Sequence, residues 1–372
     1  MRLALVHDYL TQYGGGERVL EVLMQMYPEA PIYTLVYDER ATGGVFKGRE
    51  IHTSFLQKIP FTKRHHRLFP LLMPMAIEQF DFSEFDTVLS VSASFAKGII
   101  TKPSTRHINY CLTPTRFLWD DSHRYVSEFR YPWPIRKLLP LALTYLRMWD
   151  KEASLRVDEY ISISRFVQER ITKYYNQGST LIYPPVDTAK YYISDKVDDY
   201  YLMVGRLVGY KRFDLAVKAF SAMELPLKIV GDGQMLRKLK IQSSKSKHIE
   251  FLGLVSDFKM PKLYSCAKAI VFPQEEDFGL VPLEAAASGR PVIAYRGGGA
   301  LETIVEGETG VFFDQQTEID LCLAIGKLEQ ITFDPQAIRN HAMKFDKKVF
   351  QENIARCIMK QDAATKYPEG AF

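Results

Sequence analysis

The chain has 372 residues, of which 47% are hydrophobic and 25% charged, and its formal net charge is +4. This composition excludes a disordered chain and is too weakly basic to indicate nucleic-acid binding by itself. The length predicts about two domains. The four cysteines form no C-x-x-C pair, which excludes a dithiol redox motif and a zinc ribbon and favours a reducing compartment.

The first predicted strand runs directly into His7 and Asp8, so we expect no signal peptide. No stretch of about 18 uninterrupted apolar residues occurs, so we expect no transmembrane helix. These features predict a cytoplasmic enzyme.

Short apolar runs alternate with amphipathic stretches, which is the pattern of βαβ units. Strands are predicted in the first half at residues 3–6, 32–35, 87–90, 108–111 and 160–163. They are predicted in the second half at residues 201–204, 227–230, 249–251, 269–272 and 292–294. We therefore predict an α/β protein of two similar, doubly wound, Rossmann-like domains that face each other.

A domain boundary is predicted where residues 181–187 contain two adjacent prolines, followed by the polar and acidic residues 194–199. Prolines stiffen the chain and a polar run offers few core residues. The predicted domains are residues 1–183 and 184–354, and residues 345–359 have a helical pattern.

Three glycines, Gly14, Gly15 and Gly16, follow the first strand and open an amphipathic helix. They do not fit the G-x-G-x-x-G pattern, so a nicotinamide cofactor is not indicated. The alternative to a ligand-binding role is that these glycines form only a helix-start turn, without a ligand.

In the second half, Arg206 and Lys211 share the loop after a predicted strand. An arginine fork and a lysine point charge on one loop can bind a diphosphate. The alternative is a solvated basic turn.

The segment from Glu276 to Glu284 reads EDFGLVPLE. Its proline suits the first turn of a helix and places Gly279, Leu280 and Val281 at the helix N-terminus, where free amides form an anion site. Glu284 is then predicted on the first turn, near ribose hydroxyls, and Glu276 in the loop before it, facing a sugar. The alternative is that both carboxylates only complement the helix dipole.

A third cluster, Arg296-Gly-Gly-Gly-Ala-Leu-Glu302, follows the last predicted strand. Three glycines at a strand-to-helix turn are expected to offer exposed amides. The alternative is a simple flexible loop.

The order of these clusters, together with Gly231-Asp-Gly and Phe251-Leu-Gly, resembles glycosyltransferase family 4, whose members are retaining enzymes of the GT-B fold. The resemblance implies a cleft that closes on the donor and a C-terminal helix over residues 355–372 that packs back on the first domain. It assigns the donor diphosphate to Arg206 and Lys211, the ribose to Glu284 and the transferred sugar to Glu276. The other donor-side residues that it implies are Gly15, Gly16, Gly253, Val255, Phe278, Gly279, Leu280 and Val281.

Residues 110–120, YCLTPTRFLWD, resemble a block of bacterial polysaccharide and O-antigen mannosyltransferases. Many of those enzymes have histidine where this chain has Leu112, and the family assigns that histidine a contact to the primary hydroxyl of the donor sugar. One hypothesis is therefore a donor that lacks the 6-hydroxyl. Asp8, Arg116 and Asp120 are acceptor-side candidates, with a surface ion pair as the alternative for Arg116 and Asp120.

Basic residues lie beside aromatic and aliphatic ones in residues 56–77 and 129–149. This mixture suits an anionic membrane surface or a lipid-diphosphate acceptor. Core helices with solvated basic faces are the alternative.

The resemblance implies a retaining glycosyltransferase without a cofactor. The absence of an Asp-x-Asp motif fits stabilisation of the leaving group without a metal ion. Such an enzyme would move a hexose or deoxy-hexose from a nucleotide sugar, of the GDP-mannose type, to a glycan or lipid-linked glycan in bacterial surface polysaccharide synthesis. The alternatives are an inverting transferase with Asp8, Asp120 or Asp121 as base, a sugar-nucleotide epimerase, and a non-catalytic binding subunit.

Overall fold

The structure, a computed structural model, describes residues 1–120 and 133–359, with side chains described for residues 1–120 and 139–359. These residues form two compact units. The first comprises the described parts of Met1–Tyr183 and Gln351–Phe372, and the second is Pro184–Phe350. The second unit thus ends four residues before the predicted limit of 354, because the last helix passes from one unit to the other.

The first unit contains a parallel sheet with the strand order β3-β2-β1-β4-β5-β6-β7. The strands are β1 (Leu3–His7), β2 (Ile32–Thr34), β3 (Ile51–Thr53), β4 (Thr87–Ser92), β5 (Arg106–Cys111), β6 (Glu159–Ser162) and β7 (Thr180–Leu181). The helices are α1 (Gly15–Met26), α2 (Thr62–His65), α3 (Met73–Glu78), α4 (Trp133–Ser154) and α5 (Arg165–Tyr175).

The second unit contains a parallel sheet with the order β10-β9-β8-β11-β12-β13. The strands are β8 (Tyr201–Val204), β9 (Leu227–Val230), β10 (Ile249–Gly253), β11 (Ala269–Phe272), β12 (Val292–Tyr295) and β13 (Gly310–Phe313). The helices are α6 (Phe213–Met223), α7 (Leu236–Gln242), α8 (Met260–Ser265), α9 (Leu280–Ala287), α10 (Ala300–Thr303), α11 (Glu318–Glu329), α12 (Pro335–Met343) and α13 (Lys347–Met359).

Each sheet reverses its strand order once, between β1 and β4 in the first unit and between β8 and β11 in the second. Connections leave in opposite directions at such a point, which opens a crevice at the carboxyl ends of the two strands. The loops after β1, β4, β8 and β11 are therefore the places where this fold binds ligands.

All ten predicted strands are present, and the predicted pair of doubly wound α/β domains is confirmed. The prediction missed β3, β7 and β13. The first two are sheet edges of two or three residues that are not fully buried, so they lack a hydrophobic run. β13 is fully buried but begins with Gly310, a residue type that usually marks a turn.

The end of α13 packs against the first sheet. The guanidinium of Arg106 in β5 donates to the carbonyl oxygens of Cys357 at 3.2 Å and Ile358 at 3.0 Å. A cation at the carboxyl end of a helix is stabilised by the helix dipole and by these unpaired carbonyls. No helix among the described residues is long and apolar enough to cross a membrane.

Candidate functional site

Lys211 and Glu276, both predicted as site residues, form an ion pair at the switch point of the second sheet. Lys211 lies in the loop after β8 and Glu276 in the loop after β11, and their side chains are 12% and 19% exposed. Gln274, which is buried, donates from Nε2 to Glu276 Oε1 at 3.3 Å. The topology thus brings together a cation and a carboxylate that lie 65 residues apart, in a crevice where ligands of this fold bind.

A chain of hydrogen bonds ties these loops to a third one. Arg212 donates to Gln316 Oε1 at 2.6 Å, and the Gln316 amide donates to the carbonyl oxygen of Pro273 at 2.8 Å. Arg212 therefore has a structural task, although it belongs to the same basic cluster as Lys211. Arg206 is exposed on this loop, with its guanidinium 3.5 Å from the hydroxyl of Tyr210.

Helix α9 begins at Leu280, with Gly279 as its N-cap at a φ of 87°. Phe278 and Gly279 are buried, whereas Leu280 and Val281 are half-buried. The helix starts two residues before Pro282, so Glu284 is its fifth residue and lies beyond the first turn, contrary to the prediction. Its buried carboxylate accepts a hydrogen bond from Tyr264 of α8 at 2.6 Å.

The glycine cluster after β12 is buried, so the predicted exposed amides are wrong. The amide of Gly299 donates to the carbonyl oxygen of Glu276 at 2.8 Å. Gly298 has a φ of 59°, and a Cβ there would stand 2.2 Å from the same carbonyl oxygen. These glycines let two backbones touch, and they hold the segment that carries Glu276.

Gly253, the last residue of β10, has a φ of 67° and accepts a hydrogen bond from the amide of Gly231 at 2.8 Å. Leu254 beside it is 81% exposed, and Val255 is half-buried against one of the two hydrophobic clusters of this sheet. Gly253 and Val255 thus lie at the carboxyl-terminal edge of the sheet, together with the loops after β8 and β9. In the strand order, β10 stands three strands away from β11, the strand that precedes Glu284.

At the switch point of the first sheet, the carboxylate of Asp8 accepts three backbone hydrogen bonds. The donors are the amides of Ala93 at 2.6 Å, Ser94 at 2.9 Å and Ala96 at 2.6 Å. Asp8 is 4% exposed. These contacts give Asp8 the task of joining the loops after β1 and β4, and they do not favour the acceptor contact predicted for it.

Gly15 and Gly16 are the first two residues of α1, at the same switch point, and Gly15 is exposed. The amide of Gly14 donates to the carboxylate of Glu17 at 2.9 Å, which caps the helix. The structure thus confirms the predicted helix start.

Asp120 is paired with Arg170 of α5 and also accepts a hydrogen bond from Tyr174. For Asp120, the structure therefore agrees with the alternative of an ion pair rather than an acceptor contact. Its partner, Arg170, was not indicated by the sequence. Arg116 is half-buried in the same loop. Asp121 and residues 129–132 of the predicted basic stretch lie outside the described residues, as do residues 360–372 of the predicted C-terminal helix.

Sequence reasoning missed a buried network behind this loop. Lys97 and Asp150 form an ion pair at 2.5 Å, with side chains 2% and 1% exposed. Asp150 also accepts hydrogen bonds from Thr115 at 2.6 Å, Trp119 at 2.8 Å and Tyr175 at 2.9 Å. Burial and the Asp150 charge raise the pKa of Tyr175 well above 10. The network anchors the loop after β5 to α4 and α5.

Comparison with known proteins finds a family match in the second half of the chain. Residues 190–345 match the model of the family described as Glycosyl transferases group 1. An uncharacterised glycosyltransferase of Methanocaldococcus jannaschii is 26% identical over 216 residues, which are 57% of this chain and 60% of that protein. A GDP-mannose-dependent alpha-(1-6)-phosphatidylinositol monomannoside mannosyltransferase of Mycolicibacterium smegmatis is 28% identical over 224 residues, 51% of this chain and 57% of that one. The chain thus matches about three fifths of the length of these relatives.

Among solved structures, that of Anabaena HepE in complex with UDP aligns with a TM-score of 0.71 at 16% identity. It covers 97% of this chain and 100% of that one. Together with the two parallel sheets, this likeness confirms the predicted GT-B fold class. Residues 190–345, which hold Lys211, Glu276 and Glu284, thus carry the sequence pattern of the glycosyl transferases group 1 family.

Proposed function

We propose that this protein is a retaining glycosyltransferase that moves a sugar from a nucleoside-diphosphate sugar to a hydroxyl acceptor. The Lys211–Glu276 pair at the switch point of the second sheet carries the proposal. A phosphate group competes with Glu276 for the Lys211 ammonium, and the carboxylate released in this way is left to face the sugar. The partly exposed position of both side chains permits this exchange.

The reaction has a transition state that resembles an oxocarbenium ion with a departing diphosphate. Developing negative charge on the leaving group would be stabilised by Arg206, Lys211 and the first amides of α9. Tyr264 orients the Glu284 carboxylate, which we assign to the ribose hydroxyls. Gly253 and Val255 are assigned to the base.

The surroundings of two carboxylates favour retention over inversion. An inverting enzyme needs a carboxylate base that faces the acceptor. Asp8 accepts three backbone amides, and Asp120 is paired with Arg170. Inversion with Asp8 or Asp120 as the base would therefore require breaking one of these arrangements, whereas stabilisation of the leaving group requires neither.

We propose a donor of the GDP-mannose type, as used by the Mycolicibacterium relative, and a glycan or lipid-linked glycan acceptor of a bacterial surface polysaccharide. HepE binds UDP, so the base needs a direct test. Thermal-shift assays with GDP, UDP and ADP should show the largest rise in melting temperature for the preferred base. If GDP-mannose is a far better donor substrate than GDP-deoxyhexoses, the deoxy-sugar hypothesis raised by Leu112 is excluded.

Exposed residues of the first unit support contact with an anionic membrane. Phe61 is 80% exposed, and Leu68, Leu71 and Met75 are about half-exposed, beside the exposed cations Lys63, Arg64 and Arg67. Such a surface fits anionic headgroups and the upper acyl region. Phe61→Ser should weaken cosedimentation with phosphatidylglycerol vesicles by at least about tenfold, since one buried phenyl contributes about 1.5–3 kcal/mol. The matched control is Phe258→Ser, which changes a 93% exposed phenylalanine of the second unit.

The enzymatic proposal is tested by nucleotide release from GDP-mannose and UDP-glucose with bacterial membranes as acceptor source. Glu276→Ala should lower release at least 100-fold, whereas Glu275→Ala, an exposed neighbour, should leave it unchanged. The anomeric configuration of the product, measured by NMR, separates retention from inversion. Equal release by wild type and Glu276→Ala would refute the assignment of Glu276.

A further inference from the structure

His7, the last residue of β1, is a buried histidine whose hydrogen-bonding groups are unused. It is 4% exposed, and neither ring nitrogen has a hydrogen-bond partner within the described residues. A buried polar group without a partner costs about 1–3 kcal/mol, and such groups are rare in folded proteins. An aliphatic side chain would fill this position at lower cost, so packing alone does not account for histidine here.

The imidazole points toward the first turn of α1. A Cβ built on Gly16 would lie 3.4 Å from His7 Nε2 and 2.7 Å from Leu112 Cδ1. Because Gly16 has no side chain, Nε2 and the half-buried Leu112 both approach the backbone at the start of this twelve-residue helix. Amides of a first helical turn have no acceptor within their own helix.

Nearby charges decide which ligand chemistry fits. The carboxylates of Asp8 and Glu17, both buried, directly follow His7 and Gly16 in the chain. The Glu17 carboxylate, which accepts a hydrogen bond from the Gly14 amide at the start of α1, disfavours a second anion such as a phosphate at this point. A neutral hydroxyl can donate to one imidazole tautomer and accept from the other, and Leu112 offers an apolar contact for carbon-bound hydrogens. A pyranose ring combines these two properties.

We propose that His7 determines sugar specificity, forming a hydrogen bond through Nε2 with a sugar hydroxyl bound at the first turn of α1 while Leu112 packs against the ring. This inference rests on the proposed function. The hydroxyl belongs to the donor sugar or to the acceptor glycan, and the two sources differ in which KM responds.

His7→Leu removes the hydrogen-bonding groups at similar volume, and His7→Gln keeps a polar group near the position of Nε2. His107→Leu is the matched control, since His107 is a fully buried histidine of the same sheet whose Nε2 pairs with Ser90 at 2.7 Å. We expect His7→Leu to keep or raise the melting temperature and to raise one sugar-substrate KM about tenfold, the loss of a single hydrogen bond. His7→Gln should fall between, and His107→Leu should lower the melting temperature with both KM values unchanged.

A raised KM for GDP-mannose or UDP-glucose, with unchanged affinity for GDP and UDP, assigns the hydroxyl to the donor; a raised acceptor KM assigns it to the acceptor. The inference is overturned if both KM values stay at the wild-type level, or if His7→Leu weakens GDP and UDP as much as the nucleotide sugars. Absence of nucleotide release by the wild type would instead refute the proposed function. In that case, equal thermal shifts of wild type and His7→Leu by GDP-mannose and UDP-glucose would refute the role of His7 as well.

Discussion

A carboxylate stands at the switch point of each sheet, but the two have different partners. The buried carboxylate of Asp8 accepts hydrogen bonds from three backbone amides. Glu276 is instead paired with the side chain of Lys211 and remains partly exposed. Backbone donors cannot leave a carboxylate without unfolding their loop, but a lysine side chain can turn to another anion. The switch-point carboxylate of the first unit therefore holds two loops together, whereas that of the second unit makes an exchangeable contact.

The largest effect is expected from the buried network of the first unit. Lys97→Met leaves the Asp150 charge buried without its cation, which should lower the free energy of unfolding by about 3–5 kcal/mol. Urea unfolding measures this change, with Lys47→Met as control, because the Lys47–Glu39 pair is largely exposed. A loss below about 1 kcal/mol would show that Asp150 is not held by this ion pair.

The two carboxylates can be compared directly by replacing each with its amide. Asp8→Asn should lower the free energy of unfolding by about 2–3 kcal/mol, since an amide cannot accept all three backbone bonds. Glu276→Gln should change it by less than about 1 kcal/mol while abolishing sugar transfer. If Asp8→Asn and Glu276→Gln lost equal unfolding free energy in urea, the two carboxylates would not differ in their structural role.

The position of Glu276 depends on the glycine cluster that packs against its backbone. Gly298→Ala places a methyl group against the Glu276 carbonyl at a positive φ, so we expect about 2 kcal/mol of destabilisation and reduced nucleotide release. Gly326→Ala in α11 is the control, because no atom outside the neighbouring backbone of its own helix lies within 4 Å of its added Cβ. It should stabilise the helix by up to about 1 kcal/mol.

The smallest effect concerns pH. Burial lowers the pKa of His107 to about 3, so stability from its neutral form is present above the ordinary pKa of 6.5 and is lost as pH falls from there toward 3. Between pH 7.5 and pH 5.5 this residue should account for about 1.4 kcal/mol of lost unfolding free energy. His107→Gln should lose correspondingly less over the same interval in urea unfolding. Parallel pH profiles of the two proteins would contradict the assignment.

Ten strands and most of the candidate site in the second unit could be predicted from the sequence. Apolar runs mark buried parallel strands locally, and the residues around Glu276 and Lys211 follow strands, where this fold collects its ligand contacts. The loop glycines at 297–299 were misjudged, because their packing against residues 276–278 depends on a segment about 20 residues away. For the same reason, nothing local indicated that Asp120 pairs with Arg170.

The sequence alone was sufficient to predict the α/β class, ten of the thirteen strands of the described residues and the residue types gathered at the second switch point, because these depend on short-range patterns. The tertiary structure decided which side chains meet: Lys211 with Glu276, Asp8 with three amides, Lys97 with Asp150, and His7 with no partner among the described residues. Such pairings join segments about 50 to 90 residues apart, so their geometry exists only once the sheets and helices have packed.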